Sequence, residues 1–196
     1  MALIEFTTNN KVVADPSTVF AVSNDVERPI ICKSPERLKL LLGAIAPCKS
    51  VHYVSKGDWS MHDLVMQLVN KYNPATIYMT TYALRETPLR QLVMAQQKGL
   101  IASLNMLIDY RAKVRTPEVY QLAAMNANKI AMVAIHAKVC VIQTAAISIS
   151  IVTSSNWTTN PKIEAGVVTM DKAIGDFHID WINKTMDNAN IFRADQ

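Results

Sequence analysis

Glycine and cysteine are scarce in this chain of 196 residues, which has five Gly and three Cys. With so few glycines, no low-complexity tract and no internal repeat, a fibrous or disordered chain is excluded. The cysteines (Cys32, Cys48 and Cys140) are odd in number and far apart. They form neither a zinc pattern nor a disulfide framework, which favours a reducing, cytoplasmic setting. Long apolar runs are also missing. The most apolar stretches, 38–46 and 130–142, are interrupted by Lys39, His136 and Lys138, well short of the ~20 apolar residues that a spanning helix needs. The first residues, Met-Ala-Leu-Ile-Glu-Phe-Thr-Thr, lack a basic region followed by an apolar one, so no export signal and no membrane partner are expected. Only 18% of the residues are charged.

What is present suits a globular domain. Half of the residues are hydrophobic, and the length allows a substantial core within one domain spanning 1–196. The net charge of +4 and isoelectric point near 9.0 mildly favour an anionic partner, although neutral-substrate proteins carry such charges too.

Turn and cap residues divide the chain into elements. Ser34-Pro35-Glu36, Thr87-Pro88-Leu89 and Thr116-Pro117-Glu118 each set a hydroxyl cap before a proline. A proline at the first helical position gives up an N–H that had no partner. A fourth helix is expected from Ser60, with Leu64, Val65, Leu68 and Val69 at helical spacing, ending at Asn73-Pro74. Runs at 51–55, 76–84, 100–108 and 130–143 suit buried strands. A hairpin partner at 147–154, a strand at 163–170 and a last helix at 172–188 follow. The resulting order, β-α-β-α-β-α-β-β-β-α, predicts an α/β fold: a single-domain α/β/α layered sandwich with a mixed β-sheet. The first thirty or so residues, 1–33, read as two short strands and a loop.

Three polar elements fall close together: His136-x-Lys138, Ser154-x-Asn156 and Glu164. His-x-Lys alone is cheap; with four His and thirteen Lys, about one chain in four of this composition would carry it by accident. Its bland reading is a satisfied strand histidine beside a snorkelling lysine. The apolar neighbours at 131–135 and 139–142 argue otherwise, because they predict a buried strand with His136 and Lys138 on one face. A buried lysine needs an anionic partner. Ser154 and Asn156 repeat the two-residue spacing, and Glu164 is the expected charge partner of His136.

In these residues the chain resembles the phospholipase D superfamily, marked by His-x-Lys, an Asp five residues after the Lys, Gly-Ser-x-Asn and a downstream Glu. The counterparts are Ile135-His136-Ala137-Lys138, Thr153-Ser154-Ser155-Asn156 and Asn160-Pro161-Lys162-Ile163-Glu164. Gln143 stands where the family has Asp, Thr153 where it has Gly, and a longer hairpin turn is expected at Thr144-Ala145-Ala146. The resemblance implies one phospholipase D-like half, covering residue 51 onward. It also implies a metal-independent phosphodiesterase without cofactor, in which His136 attacks phosphorus or protonates the leaving group. Lys138 and Asn156 would bind phosphate, Ser154 would support that contact, and Glu164 would orient the imidazole. Because the chain has one motif and such sites use two, the resemblance implies a homodimer.

Small size, a single motif and the basic stretch Arg111, Lys113 and Arg115 favour a nuclease, with DNA ahead of RNA as partner. A solvated basic loop is the bland reading of that stretch. Two alternatives stay open: a catalytically weak binding or structural module, and a phospholipid-acting phosphodiesterase. Asp176-x-His178-x-Asp180 looks like a metal cluster as text, but helical spacing points its members apart, and His178 reads as a core or interface histidine. His52 and His62 read as surface or structural.

Overall fold

In a computed structural model, residues 25–26, 30–32, 35–55, 57, 59–159 and 161–191 are described. Of the N-terminal segment, only β1 (Asp25–Val26) and β2 (Ile30–Cys32) fall within these residues; the expectation for 1–24 lies outside them. The remaining elements are α1 (Pro35–Ala44), β3 (Lys49–Ser55), α2 (Met61–Lys71), β4 (Ala75–Thr81), α3 (Glu86–Gln97) and β5 (Ile101–Asp109), then α4 (Ala112–Arg115), α5 (Pro117–Asn126), β6 (Lys129–Val133), β7 (Val139–Gln143), β8 (Ser148–Thr153), β9 (Glu164–Met170) and α6 (Lys172–Ile191).

The strands form one mixed sheet in the order β1-β3-β9-β8-β7-β4-β5-β6, with β2 also paired to β3. Strands β4, β5 and β6 are parallel. Strand β7 is antiparallel to β4, and β7, β8, β9 and β3 continue antiparallel. Alternation along the strands separates two faces. Val51, Ile77, Met79, Leu104, Met106, Cys140, Ile149 and Val168 are buried in one core with apolar residues of α1, α2, α3 and α5. On the other face, Ile182 and Met186 of α6 pack on Leu107 and Ala131. The layered α/β/α sandwich expected from the sequence is therefore the architecture observed.

Helix starts explain most of the boundaries. Before α2, the Ser60 N–H donates to the Asp63 carboxylate at 2.8 Å, the returning half of a capping box, and Leu64, Val65, Leu68 and Val69 are fully buried. Pro117 stands at the first position of α5. One expectation needs correction: α3 starts at Glu86, so Pro88 is its third residue rather than its first. The Arg85 N–H donates to Trp157 O at 2.9 Å and pins the chain one step earlier. Proline is tolerated there because first-turn N–H groups have no helical partner.

The larger correction concerns 130–143. This apolar run is not one strand but two, β6 and β7, with β5 and β4 lying between them in the sheet. The connection 134–138 therefore crosses the carboxyl ends of β5 and β4, and it carries the His-x-Lys pair. The Ile135 N–H donates to Asp109 Oδ2 at 3.3 Å. Thr80 Oγ1 donates to Ala137 O and accepts from the Val139 N–H, both at 3.0 Å. The hydroxyl of β4 thus hands the crossing segment into β7.

Candidate active site

His136 is consequently exposed on a connection rather than buried in a strand, whereas Lys138 is buried at 6% exposure. The Lys138 ammonium donates to His136 O at 2.7 Å and lies 3.1 Å from both imidazole nitrogens. Burial pushes the Lys138 pKa down, while the charges of Glu164 and Tyr82 work against that shift. An ammonium has three N–H donors, so this one retains capacity for an incoming anion. The Tyr82 ring meets the imidazole edge-on at 5.0 Å between centroids.

Asn156 lies beyond β8. Its Oδ1 accepts from the Ala83 N–H at 3.2 Å and from Thr81 Oγ1 at 3.4 Å. With the amide oxygen held in this way, Nδ2 is left as a donor. Ser154 Oγ donates to the Glu164 carboxylate and accepts from the Ala165 N–H at 3.1 Å. This differs from the expectation that Glu164 orients His136. Antiparallel pairing of Thr153 with Gly166 brings Ala165 opposite Ser154, and the neighbouring Glu164 reaches the Ser154 hydroxyl through its side chain, while the imidazole nitrogens face Lys138 instead. The five expected residues lie at one end of the sheet, where β7 begins at Val139, β8 ends at Thr153 and β9 begins at Glu164.

The two departures from the family motif have structural explanations. Thr153 is buried; it accepts from Tyr53 Oη at 2.9 Å and donates to Ala165 O at 3.0 Å, tying β8 to β3 and β9. Gln143 ends β7 opposite Thr76 and Ser148, about 13 Å along the strand from Val139. It is therefore remote from Lys138. The longer turn closes as expected, with the Thr144 N–H donating to Ile147 O at 2.9 Å and Thr144 Oγ1 accepting from the Ala146 and Ile147 N–H groups.

The basic stretch is not a uniform loop. Lys113 and Arg115 are exposed on the short α4. Arg111, preceding it, makes a bidentate pair with the fully buried Asp109 (Nε to Oδ1 at 2.6 Å, Nη2 to Oδ2 at 2.9 Å). Hydrogen bonds from Arg111 hold the Asp109 pKa at about 2 against the effect of burial. Arg111 also lies 4.4 Å over the Tyr82 ring, and Arg115 Nη1 donates to Tyr82 Oη at 3.2 Å. Asp109 and Tyr82 were not among the residues singled out from sequence. An acid closing an apolar strand, two residues before an arginine, was the available signal.

On α6 the apparent cluster disperses: Asp176 pairs with Lys172, Asp180 with Lys184, and His178 Nδ1 accepts from Trp181 Nε1 at 3.0 Å. Burial lowers the His178 pKa to about 4. His62 is buried against Ser60, and His52 is exposed. No helix among the described residues is long and apolar enough to cross a membrane.

This architecture is the phospholipase D-like fold. Among solved structures, the chain is similar to Nuc from Salmonella typhimurium, a phospholipase D family member, with a TM-score of 0.54 and 16% identity over 71% of this chain and 95% of that one. It is also similar to polyphosphate kinase from Porphyromonas gingivalis, with a TM-score of 0.53 and 16% identity over 79% of this chain and 28% of the kinase. No family model and no curated protein matches the sequence.

Proposed function

We propose that the chain is a metal-independent phosphodiesterase of phospholipase D type that cleaves nucleic acid, DNA ahead of RNA, in a composite site of two copies. One observation carries the reading: an exposed imidazole, a buried ammonium and a half-buried amide whose oxygen is held, leaving its nitrogen as a donor, lie at one sheet end. These are the groups that attack on phosphorus requires. A phosphodiester entering the site offers the Lys138 ammonium a charged acceptor in place of the imidazole, freeing a ring nitrogen to attack. His136 then forms the phosphohistidine, Lys138 and Asn156 stabilise charge on the phosphoryl oxygens, and Ser154 with Glu164 fixes the margin beside them.

A single imidazole cannot attack phosphorus and protonate the leaving group at once, so the second histidine comes from the second copy. Val152 and Ile163 are 43% and 69% exposed next in sequence to this site, and they offer apolar area to such an interface. The basic isoelectric point and the exposed Lys113 and Arg115 favour a polyanionic substrate.

Turnover of plasmid and single-stranded DNA in EDTA, absent from His136→Ala, is the expected outcome. Mixtures of wild type with His136→Ala should lose activity faster than the wild-type fraction falls, because heterodimers hold one histidine. Activity abolished by chelation would reject the mechanism. Phosphate binding by an inactive monomer would favour the binding-module reading.

A further inference from the structure

Asp109 terminates β5 with no solvent exposure and holds two different objects. One is the backbone one residue before the imidazole, through the Ile135 N–H at 3.3 Å. The other is Arg111, whose backbone N–H donates to Oδ1 at 3.0 Å while its guanidinium spans both carboxylate oxygens. The guanidinium in turn lies 4.4 Å over the Tyr82 ring, which meets His136 edge-on at 5.0 Å. A buried carboxylate without its cation would be costly, so the pair holds together as a unit.

We propose that Asp109 and Arg111 are positioning residues for His136, acting through the Ile135 amide on its backbone and through Tyr82 on its ring. His136 stands on an exposed connection between strands that are not neighbours. Such a segment gains no aim from ladder hydrogen bonds, whereas attack on phosphorus needs a near-in-line approach. The Asp109–Arg111–Tyr82 chain supplies that aim. It also removes Arg111 from the substrate-binding cations, because its planar fork is already engaged by a carboxylate and a ring.

The kinetic part rests on the phosphodiesterase reading, so the test pairs turnover with a measurement independent of it. Full-length Arg111→Met and Arg111→Lys would be compared with wild type, using bis(4-nitrophenyl) phosphate as probe and histidine-ring NMR resonances assigned through His136→Ala. Arg111→Met should lower kcat about ten- to hundred-fold at nearly constant KM and shift the His136 ring resonances as the Tyr82 ring moves. Arg111→Lys keeps a cation for Asp109 but loses the fork and the stack, so it should fall between the two; it also preserves the test if Arg111→Met does not fold. A raised KM with kcat intact would show Arg111 meeting the substrate itself and overturn the inference. Unmoved His136 resonances in both variants would overturn it as well. If wild type turns over no phosphodiester, the enzymatic reading fails separately, and the resonance shift alone decides whether Arg111 positions the ring.

Discussion

At the seam between β4 and β7, a parallel half of the sheet meets an antiparallel half, and the candidate site draws on both. The antiparallel strands β7, β8 and β9 deliver Lys138, Ser154, Asn156 and Glu164 within a residue or three of their ends. The parallel strands β4 and β5 deliver Thr80, Thr81, Tyr82, Asp109 and Arg111 at or just beyond their carboxyl ends. On the phosphodiesterase reading, the groups that would meet phosphate come from the first set. Groups of the second set hold them: Thr81 on the Asn156 amide, Thr80 on the crossing segment, and Asp109 on Ile135. His136 and Lys138 both lie on the connection 134–138 that bridges the halves, Lys138 directly before β7. Carboxyl ends of parallel strands gather ligands in open α/β sheets; here they act mainly as a frame for donors supplied from across the seam.

The largest expected effect falls on the antiparallel half. Asn156→Asp keeps the Oδ1 acceptor for Ala83 and Thr81 but replaces the Nδ2 donor with negative charge. On the phosphodiesterase reading, kcat should fall by about 10²–10³-fold, the usual cost of one lost oxyanion donor, with thermal melting nearly unchanged. Steady-state hydrolysis of a phosphodiester checks this, and activity close to wild type would return Asn156 to a purely structural role.

A smaller effect, on stability, is expected from the parallel half. Thr80 is fully buried and bridges Ala137 O and the Val139 N–H with one hydroxyl. Thr80→Val keeps the shape but leaves both backbone groups without that partner, at a cost of about 1–3 kcal/mol. Urea denaturation should show it as a lowered midpoint. An unchanged midpoint would mean that the crossing segment is held elsewhere.

The same division explains what could be read from sequence. The layered α/β order was legible because Leu64, Val65, Leu68 and Val69 keep helical spacing and short apolar runs such as 76–84 and 100–108 alternate with capped helix starts. The motif residues were legible because each pair lies two apart in one segment. The break inside 130–143 was not. An apolar run looks alike whether it serves one strand or two, and only the order β7-β4-β5-β6 separates them. Tyr82 was invisible for a related reason, since its partner His136 lies 54 residues away across strand ends; the spacing of Asp109 from Arg111 was readable, but its hold on Ile135, 26 residues away, was not. The pairing of Glu164 with Ser154 depended on the β8–β9 register, which residue spacing does not fix.

The smallest effect separates cations that the sequence presents as one group. Lys113 is exposed and makes no ion pair among the described residues, and Arg115 is exposed, meeting Tyr82 through its hydroxyl and, at 5.8 Å, its ring. If they meet nucleic-acid phosphates, each neutralisation removes about one released counterion. The slope of log affinity against log salt on duplex DNA should then flatten by about 0.9 per contact. Folding stability should stay within about 0.5 kcal/mol, as for other exposed sites. Arg111, committed to Asp109 and the Tyr82 ring, should leave that slope nearly unchanged when replaced by Met, even though it lies two residues from Lys113. Salt titrations of Lys113→Ala, Arg115→Ala and Arg111→Met in a chain made inactive by His136→Ala would separate the cases. Equal flattening by all three would make Arg111 a phosphate contact after all. No flattening by any would return Lys113 and Arg115 to a solvated surface and shift the substrate away from extended polyanions.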